Sequence, residues 1–186
     1  MPDVERKSMT LVLGGVRSGK SRFALERAKN FARVSFVATA QPSDSEMAEK
    51  IKRHQSERPA GWRTIEEPVE VAKAVETAGA QSDLIIIDCL TIFAANLLEA
   101  ASASEPENDP ANHVVQLLAA LHNTPASIVL VSNEVGSGVV PPYPAGRQFR
   151  DLLGEINQKI AATADNVVLM VAGLPLVLKG AIGAHI

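Results

Sequence analysis

The feature that most constrains this chain is the stretch Leu11-Val-Leu-Gly-Gly-Val-Arg-Ser-Gly-Lys-Ser21. It contains Gly14-x-x-x-x-Gly19-Lys20-Ser21, the complete pattern of a phosphate-binding loop. Met9 to Leu13 is an apolar run that predicts a buried strand leading in, and Arg22 to Ala32 predicts a helix leading out. Glycines let the main chain pass close to a phosphate and take dihedrals that a side chain forbids. Successive N–H groups then point inward, and the helix N-terminus adds positive potential. Lys20 is placed to reach the β/γ-phosphates and Ser21 to hold Mg²⁺ through its hydroxyl. A glycine-rich turn that binds nothing is the alternative, and four filled positions in a strand–loop–helix context weigh against it.

The chain has 186 residues, which favours one domain with a sizeable core. The expected division is a short, polar and flexible extension over residues 1–8, followed by a single phosphate-loop domain over residues 9–186. Eighteen basic against 21 acidic residues give a net charge of −3, which argues against a nucleic-acid partner. No apolar run approaches the roughly 20 residues needed to span a bilayer. Residues 1–8 lack the apolar core of a secretory signal. Cys89 is the single cysteine, so an internal disulfide is excluded. These features fit a cytoplasmic protein.

Beyond the loop, strands and helices alternate. Arg33–Thr39 reads as a second strand. Ser43-x-x-Glu46 is a capping-box pattern that predicts a helix to about Glu57, with Met47, Ile51 and His54 on one face. Trp62–Glu66 is a strand candidate and Val69–Ala78 a helix. Asp83–Asp88 is an aliphatic strand ending in an acid. Thr91–Ala101 reads as a helix, residues 102–112 as a polar surface loop, and His113–Leu121 as a helix. Ala126–Ser132 is another buried strand. Residues 133–144 follow, with three prolines and two glycines that suggest a site loop. Ala145–Thr163 is a long amphipathic helix, Asn166–Val171 a last strand, and the tail from Ala172 is apolar and glycine-rich. This alternation predicts an α/β, three-layer fold with a mainly parallel sheet. Ligands then bind beyond the carboxyl ends of the strands. The loop, Thr39, Asp88, Asn133 and Glu134 all fall there.

Two readings stand for Asp88: a magnesium-site acid acting directly or through water, or a helix N-cap beside Thr91. Two also stand for His54. A lone histidine on an apolar helix face is usually a hydrogen-bonded core residue, yet a neutral imidazole is a competent nucleophile toward phosphorus. His113, His122 and His185 lie in no motif. Arg17, Arg58, Arg147 and Arg150 are candidates to stabilise phosphate charge; for Arg147 and Arg150 a solvated helix face is the favoured reading.

Five blocks occur in order: Gly14-Gly-Val-Arg-Ser-Gly-Lys-Ser-Arg22, Ala38-Thr-Ala-Gln41, Ser45-Glu-Met-Ala-Glu-Lys-Ile-Lys-Arg-His54, Arg58-Pro-Ala-Gly-Trp-Arg-Thr64 and Ser132-Asn-Glu-Val-Gly136. Together they resemble the bifunctional adenosylcobinamide kinase/adenosylcobinamide-phosphate guanylyltransferase family of cobalamin biosynthesis. The likeness runs from about Thr10 to Gly180. It implies a RecA-like phosphate-loop fold, association as a homotrimer, and two reactions. ATP or GTP phosphorylates the aminopropanol hydroxyl of adenosylcobinamide. GTP then gives GMP to an enzyme histidine, matched here by His54, and the GMP passes to adenosylcobinamide phosphate. With Lys20 as the other catalytic residue, the implied nucleotide contacts are Gly14, Gly15, Val16, Arg17, Ser18, Gly19, Lys20, Ser21, Thr39, Ala40, Gln41, Gln55, Ser56, Glu57, Arg58, Glu66 and Asp88. Ser21 and Asp88 are the implied Mg²⁺ residues. The sequence departs from the family at Val16, where many members have alanine, and in the proline-rich segment from Val139 to Gly146. Rival readings are a phosphate-loop kinase for another small alcohol and a RecA-like regulatory ATPase.

Overall fold

A computed structural model of the chain describes residues 7–42, 45–56, 58–102 and 109–181; the side chains of Glu46, Met47, Lys50 and His54 lie outside that description. The proposed cap at Ser43, Glu57 and His185 also lie outside the described residues.

Seven strands form one sheet: β1 (Met9–Gly14), β2 (Val34–Ala38), β3 (Arg63–Glu66), β4 (Leu84–Asp88), β5 (Ser127–Val131), β6 (Asn166–Val171) and β7 (Leu174–Lys179). Their order is β3-β2-β4-β5-β1-β6-β7. All neighbours run parallel except the β6–β7 pair. The helices are α1 (Lys20–Ala28), α2 (Ser45–Ser56), α3 (Val71–Gly79), α4 (Leu90–Ala101), α5 (Pro110–Asn123) and α6 (Pro144–Thr163).

The central strands are aliphatic on both faces because both are covered. On one face Leu11, Val37, Ile85, Ile87 and Leu130 pack with Val75, Phe93, Leu117 and Ile156 from α3, α4, α5 and α6. On the other face Val12, Phe36, Ile86 and Val129 pack with Phe23, Ala24 and Ala28 from α1. Each large aliphatic or aromatic side chain buried in this way contributes roughly 1.5–3 kcal/mol. This is the three-layer α/β architecture expected from the alternation.

Four details differ from the sequence expectation. The first helix ends at Ala28, so residues 29–32 fall beyond it, and its buried apolar residues are Phe23, Ala24 and Ala28. The helix expected from His113 begins at Pro110, where the Asp109 carboxylate accepts from the Ala111 N–H and proline occupies the first turn. The tail from Ala172 is the antiparallel strand β7, joined to β6 through Ala172 (φ 52°) and Gly173 (φ 83°), a two-residue turn with both φ values positive. At the start of the chain, Lys7 Nζ donates to the His122 carbonyl at 2.7 Å and the Ser8 N–H to Ser127 Oγ at 3.2 Å, tying the end of the expected extension to the fold.

No described helix is long and apolar enough to cross a membrane.

Candidate active site

The phosphate loop leaves the end of β1 in the middle of the sheet. Gly14 has φ +151°, and a Cβ there would meet Ser18 Oγ at 2.5 Å and the Met170 carbonyl at 2.6 Å. Only glycine fits this close approach to β6. The next turn closes through the Ser18 N–H donating to the Gly15 carbonyl at 3.3 Å, and Arg17 takes the left-handed conformation (φ 57°). The Gly173 N–H donates to the Ser18 carbonyl at 2.9 Å, so the β6–β7 turn braces the loop from behind. Ser18 Oγ is buried with no hydrogen-bond partner.

Lys20 opens α1 and is itself buried. Its Nζ donates to the Gly15 carbonyl at 2.6 Å, folding the ammonium back across the loop. Desolvation pulls its pKa below the ordinary lysine value, against the opposing pull of Cys89 and Asp88. Ser21 Oγ donates to Asp88 Oδ2 at 2.9 Å. Asp88 ends β4, which is separated from β1 by β5, so this bond reaches across the intervening strand's end. The residue capping α4 is Cys89, without a side-chain cap bond, so the structure places the Asp88 carboxylate toward the loop rather than on the helix end.

Two cavities that share Ser21, Asp88 and Cys89 in their walls flank the Ser21–Asp88 bond. One of about 580 Å³ is lined by Val16 to Ser21, Arg53, Asp88, Cys89, Val131 and Asn133. The other, about 180 Å³, lies between β2, α2 and α4 and is lined by Phe36, Ala38, Ile51, Arg58, Glu66 and Ile92, among others. Phe36 and Ala38 share a strand face because they are two residues apart. The Arg58 guanidinium sits over the Phe36 ring, 3.6 Å from its centroid, and donates to Thr64 Oγ1 at 3.3 Å. Its Nε is buried without a partner. Burial lowers its pKa, while Asp88 and Glu66 raise it. Gln55 Nε2 donates to Glu66 Oε1 at 3.1 Å.

The sequence-derived candidates thus separate. Val16 to Ser21 and Asp88 converge on the wider cavity, while Gly14 and Gly15 are not among the residues that line it. Ala40, Arg58 and Glu66 line the narrower one, which Ser21 and Asp88 share. Thr39 is fully buried, with its hydroxyl accepting from the Cys89 N–H at 2.9 Å and donating to the Cys89 carbonyl at 2.8 Å. Gln41 and Ser56 are exposed. Helix α2 carries His54. Glu134 turns onto its own loop, accepting from the Gly136 N–H at 2.7 Å. Arg147 is exposed, as the solvated-face reading expects, with Nη1 donating to the Pro141 and Pro142 carbonyls, whereas Arg150 is half-buried with a buried Nη1 and departs from that reading. A cleft of about 590 Å³ at the opposite strand ends, near Lys7, holds Arg33 and Asp83, which are paired with each other at 2.6 Å.

Sequence reasoning assigned no role to Arg53, Phe36 or the Asn133 side chain. The adjacency of Arg53 to His54 was the one local sign for it. Phe36 was legible only as a core residue.

A phosphate loop braced at the carboxyl rim of a mainly parallel sheet, with an acid two strands away bonded to its terminal serine, defines a phosphate-loop protein of RecA-like fold. The solved ATPase of the type III secretion system of pathogenic bacteria shares this fold, with a TM-score of 0.57 at 13% identity over 96% of this chain and 60% of that one. The model of the family described as cobinamide kinase / cobinamide phosphate guanyltransferase matches residues 10–178. The chain is 42% identical over 172 residues to the bifunctional adenosylcobalamin biosynthesis protein CobP of Pseudomonas aeruginosa, covering 91% of this chain and 96% of that protein. It is 40% identical over 183 residues to the bifunctional adenosylcobalamin biosynthesis protein CobU of Salmonella typhimurium, covering 92% and 99%. The chain belongs to the cobinamide kinase / cobinamide phosphate guanyltransferase family and is a bifunctional enzyme of adenosylcobalamin biosynthesis.

Proposed function

We propose that one phosphate cradle serves both reactions, with the second chemistry added by α2. In the kinase reaction ATP or GTP lies with its β/γ-phosphates in Gly14–Ser21. The hydroxyl of the adenosylcobinamide aminopropanol arm attacks the γ-phosphorus. The new O–P bond forms as the β,γ-bridging bond breaks, and the hydroxyl proton leaves to solvent. Lys20, already desolvated, releases the Gly15 carbonyl and donates to phosphate oxygens instead. The partnerless Ser18 hydroxyl supports the same reading of the loop.

In the transferase reaction His54 attacks the α-phosphorus of GTP. A nitrogen–phosphorus bond forms, the bond to the β-side bridging oxygen breaks, and pyrophosphate leaves. A phosphate oxygen of adenosylcobinamide phosphate then attacks the same phosphorus, breaks the bond to nitrogen and gives adenosylcobinamide-GDP. The covalent intermediate divides one hard transfer into two displacements. On this reading Ala40, Gln41, Gln55, Ser56, Arg58 and Glu66 contact the nucleoside, and Thr39 holds that rim in place.

Ser21 and Asp88 fit a hard divalent cation, because a hydroxyl and a carboxylate oxygen lie 2.9 Å apart at the loop's end. They would hold Mg²⁺, whose chemistry when bound is charge neutralisation on the phosphate oxygens. The enzyme works as a homotrimer in the cytoplasm.

The observation that carries this reading is the convergence of Lys20, Ser21 and Asp88 with α2, through Arg53, on one cavity. The test is the intact mass of the protein after exposure to GTP and magnesium. Wild type is expected to gain one guanylate and His54→Ala none; an adduct on His54→Ala removes His54 from the nucleophile's role.

A further inference from the structure

We infer that the proline-rich segment leading into α6 is the bed for the corrin ring of the substrate. Val139, Val140 and Tyr143 lie against an apolar face of the macrocycle, and the aminopropanol arm runs from there into the phosphate cavity. The inference deepens the function proposed above and rests on the kinase reading of that cavity. Val139 is 96% exposed, Val140 57% and Tyr143 61%. Single exposed apolar residues are ordinary, but three of them between positions 139 and 143 form a patch of the kind that takes an apolar ligand. The Tyr143 hydroxyl makes no hydrogen bond to a described residue, so its side chain offers an apolar ring with a polar tip.

The place of the segment selects its occupant. The chain leaves the carboxyl end of β5, the strand beside β1. Asn133 lines the phosphate cavity, and the Glu134 N–H donates to the Gly14 carbonyl at 3.3 Å, so the segment starts against the phosphate loop. Val139 follows six residues after Asn133, within about 22 Å of it at full extension. The hydroxyl of adenosylcobinamide has to enter the cavity to meet the γ-phosphorus. The ring at the other end of its arm therefore lies outside the cavity mouth, beyond the same rim. A corrin ring has methyl-studded apolar faces and amides along its edge. Apolar side chains set among main-chain polar groups match that pattern.

The segment is held in shape by its own bonds. At its root the Asn133 N–H donates to Thr91 Oγ1 at 2.9 Å and the Asn133 carbonyl accepts from Asn157 Nδ2 at 3.1 Å. The Glu134 carboxylate then accepts from the Gly136 N–H at 2.7 Å and from the Ser137 N–H and hydroxyl at 3.3 and 3.0 Å. At the far end Arg147 Nη1 donates to the Pro141 and Pro142 carbonyls at 3.0 and 2.9 Å. The Tyr143 ring lies against Gly146, where a Cβ would meet it at 2.6 Å and Pro141 at 2.8 Å. Pro141, Pro142 and Pro144 each fix a φ angle. The apolar side chains are thus kept outward instead of folding onto the core, and the segment has little conformational freedom left to lose on binding.

The test takes the double variant Val139→Ser/Tyr143→Ser through three measurements: kinase kinetics with adenosylcobinamide, guanylate uptake from GTP by intact mass, and sedimentation. KM for adenosylcobinamide is expected to rise roughly tenfold to a hundredfold, the scale of losing two apolar side chains from a buried contact, with kcat within about twofold. Guanylate uptake, which needs no corrinoid, is expected at the wild-type rate, and sedimentation is expected unchanged. A folded variant with the wild-type KM overturns the inference. A variant that loses self-association while keeping that KM also overturns it, and marks the patch as a contact between copies of this chain. Should the double variant not fold, Val139→Ser alone carries the same comparison. A wild-type protein that does not phosphorylate adenosylcobinamide overturns the kinase reading itself, and shows this without any substitution.

Discussion

The phosphate loop and helix α2 serve one active site but are built in opposite ways. The loop sits at the centre of the sheet, between β5 and β6, braced from behind by Gly173 and opened onto the buried N-terminus of α1. Helix α2 lies over the edge of the sheet near β3, and Ile51 is the one residue withdrawn from solvent among those of its side chains that are described. The contrast teaches how one fold carries two chemistries. On the proposed mechanism the grip on phosphate is common to both reactions and is set by the core, while the guanylate carrier is needed in only one and rides on an element that is mostly exposed among its described side chains.

Substitutions in the loop therefore strike both activities, and those on α2 strike one. The largest effect is expected for Lys20→Ala, which removes the cation from both transition states. Kinase and guanylyl-transfer kcat should each fall by roughly a hundredfold or more, the scale of losing a charge-stabilising group. A loss confined to one activity would break the shared-cradle comparison.

Next comes Gly14→Ala, which tests the core-set geometry directly. The added Cβ meets backbone at Met170, not only the flexible Ser18 side chain. A stability loss of about 2–4 kcal/mol is expected from strain and overpacking, read by urea unfolding. A change within about 0.5 kcal/mol would show that the loop is not braced by β6.

The fold was legible where a strand is buried on both faces, and the aliphatic runs of β1, β4 and β5 left little choice. β7 was hidden because Leu174, Leu176 and Leu178 are all exposed and its turn begins with Ala172 rather than the usual glycine or asparagine. The start of α5 was written as Asp109-Pro110 but lay inside a stretch rich in acids and proline. For the site, Lys20, Ser21 and Asp88 were legible because each sits beside a local signal, a loop pattern or a strand end. Asn133 was legible as a rim residue at a strand end, whereas Arg53 and Phe36 were not. Their places follow from the strand order and from where α2 lies, which no short stretch of sequence specifies.

A smaller effect concerns the wall between the two cavities. Cys89 lines both, and desolvation with the Asp88 charge pushes its thiol from 9.0 up to about 11. The folded state therefore holds that proton more tightly than the unfolded chain. Its contribution is intact below about pH 9 and declines as pH rises toward about 11. Stability measured over that window should fall less steeply in Cys89→Ala; identical slopes would mean that the thiol is not enclosed there.

The most direct test of the central claim takes one preparation of His54→Ala and measures both reactions on it. Phosphorylation of cobinamide is expected within about twofold of wild type, since His54 takes no part in the proposed kinase step, with guanylyl transfer lost. Transfer that survives, or a folded variant that has lost both activities, would contradict a cradle shared by two chemistries and a nucleophile used by one.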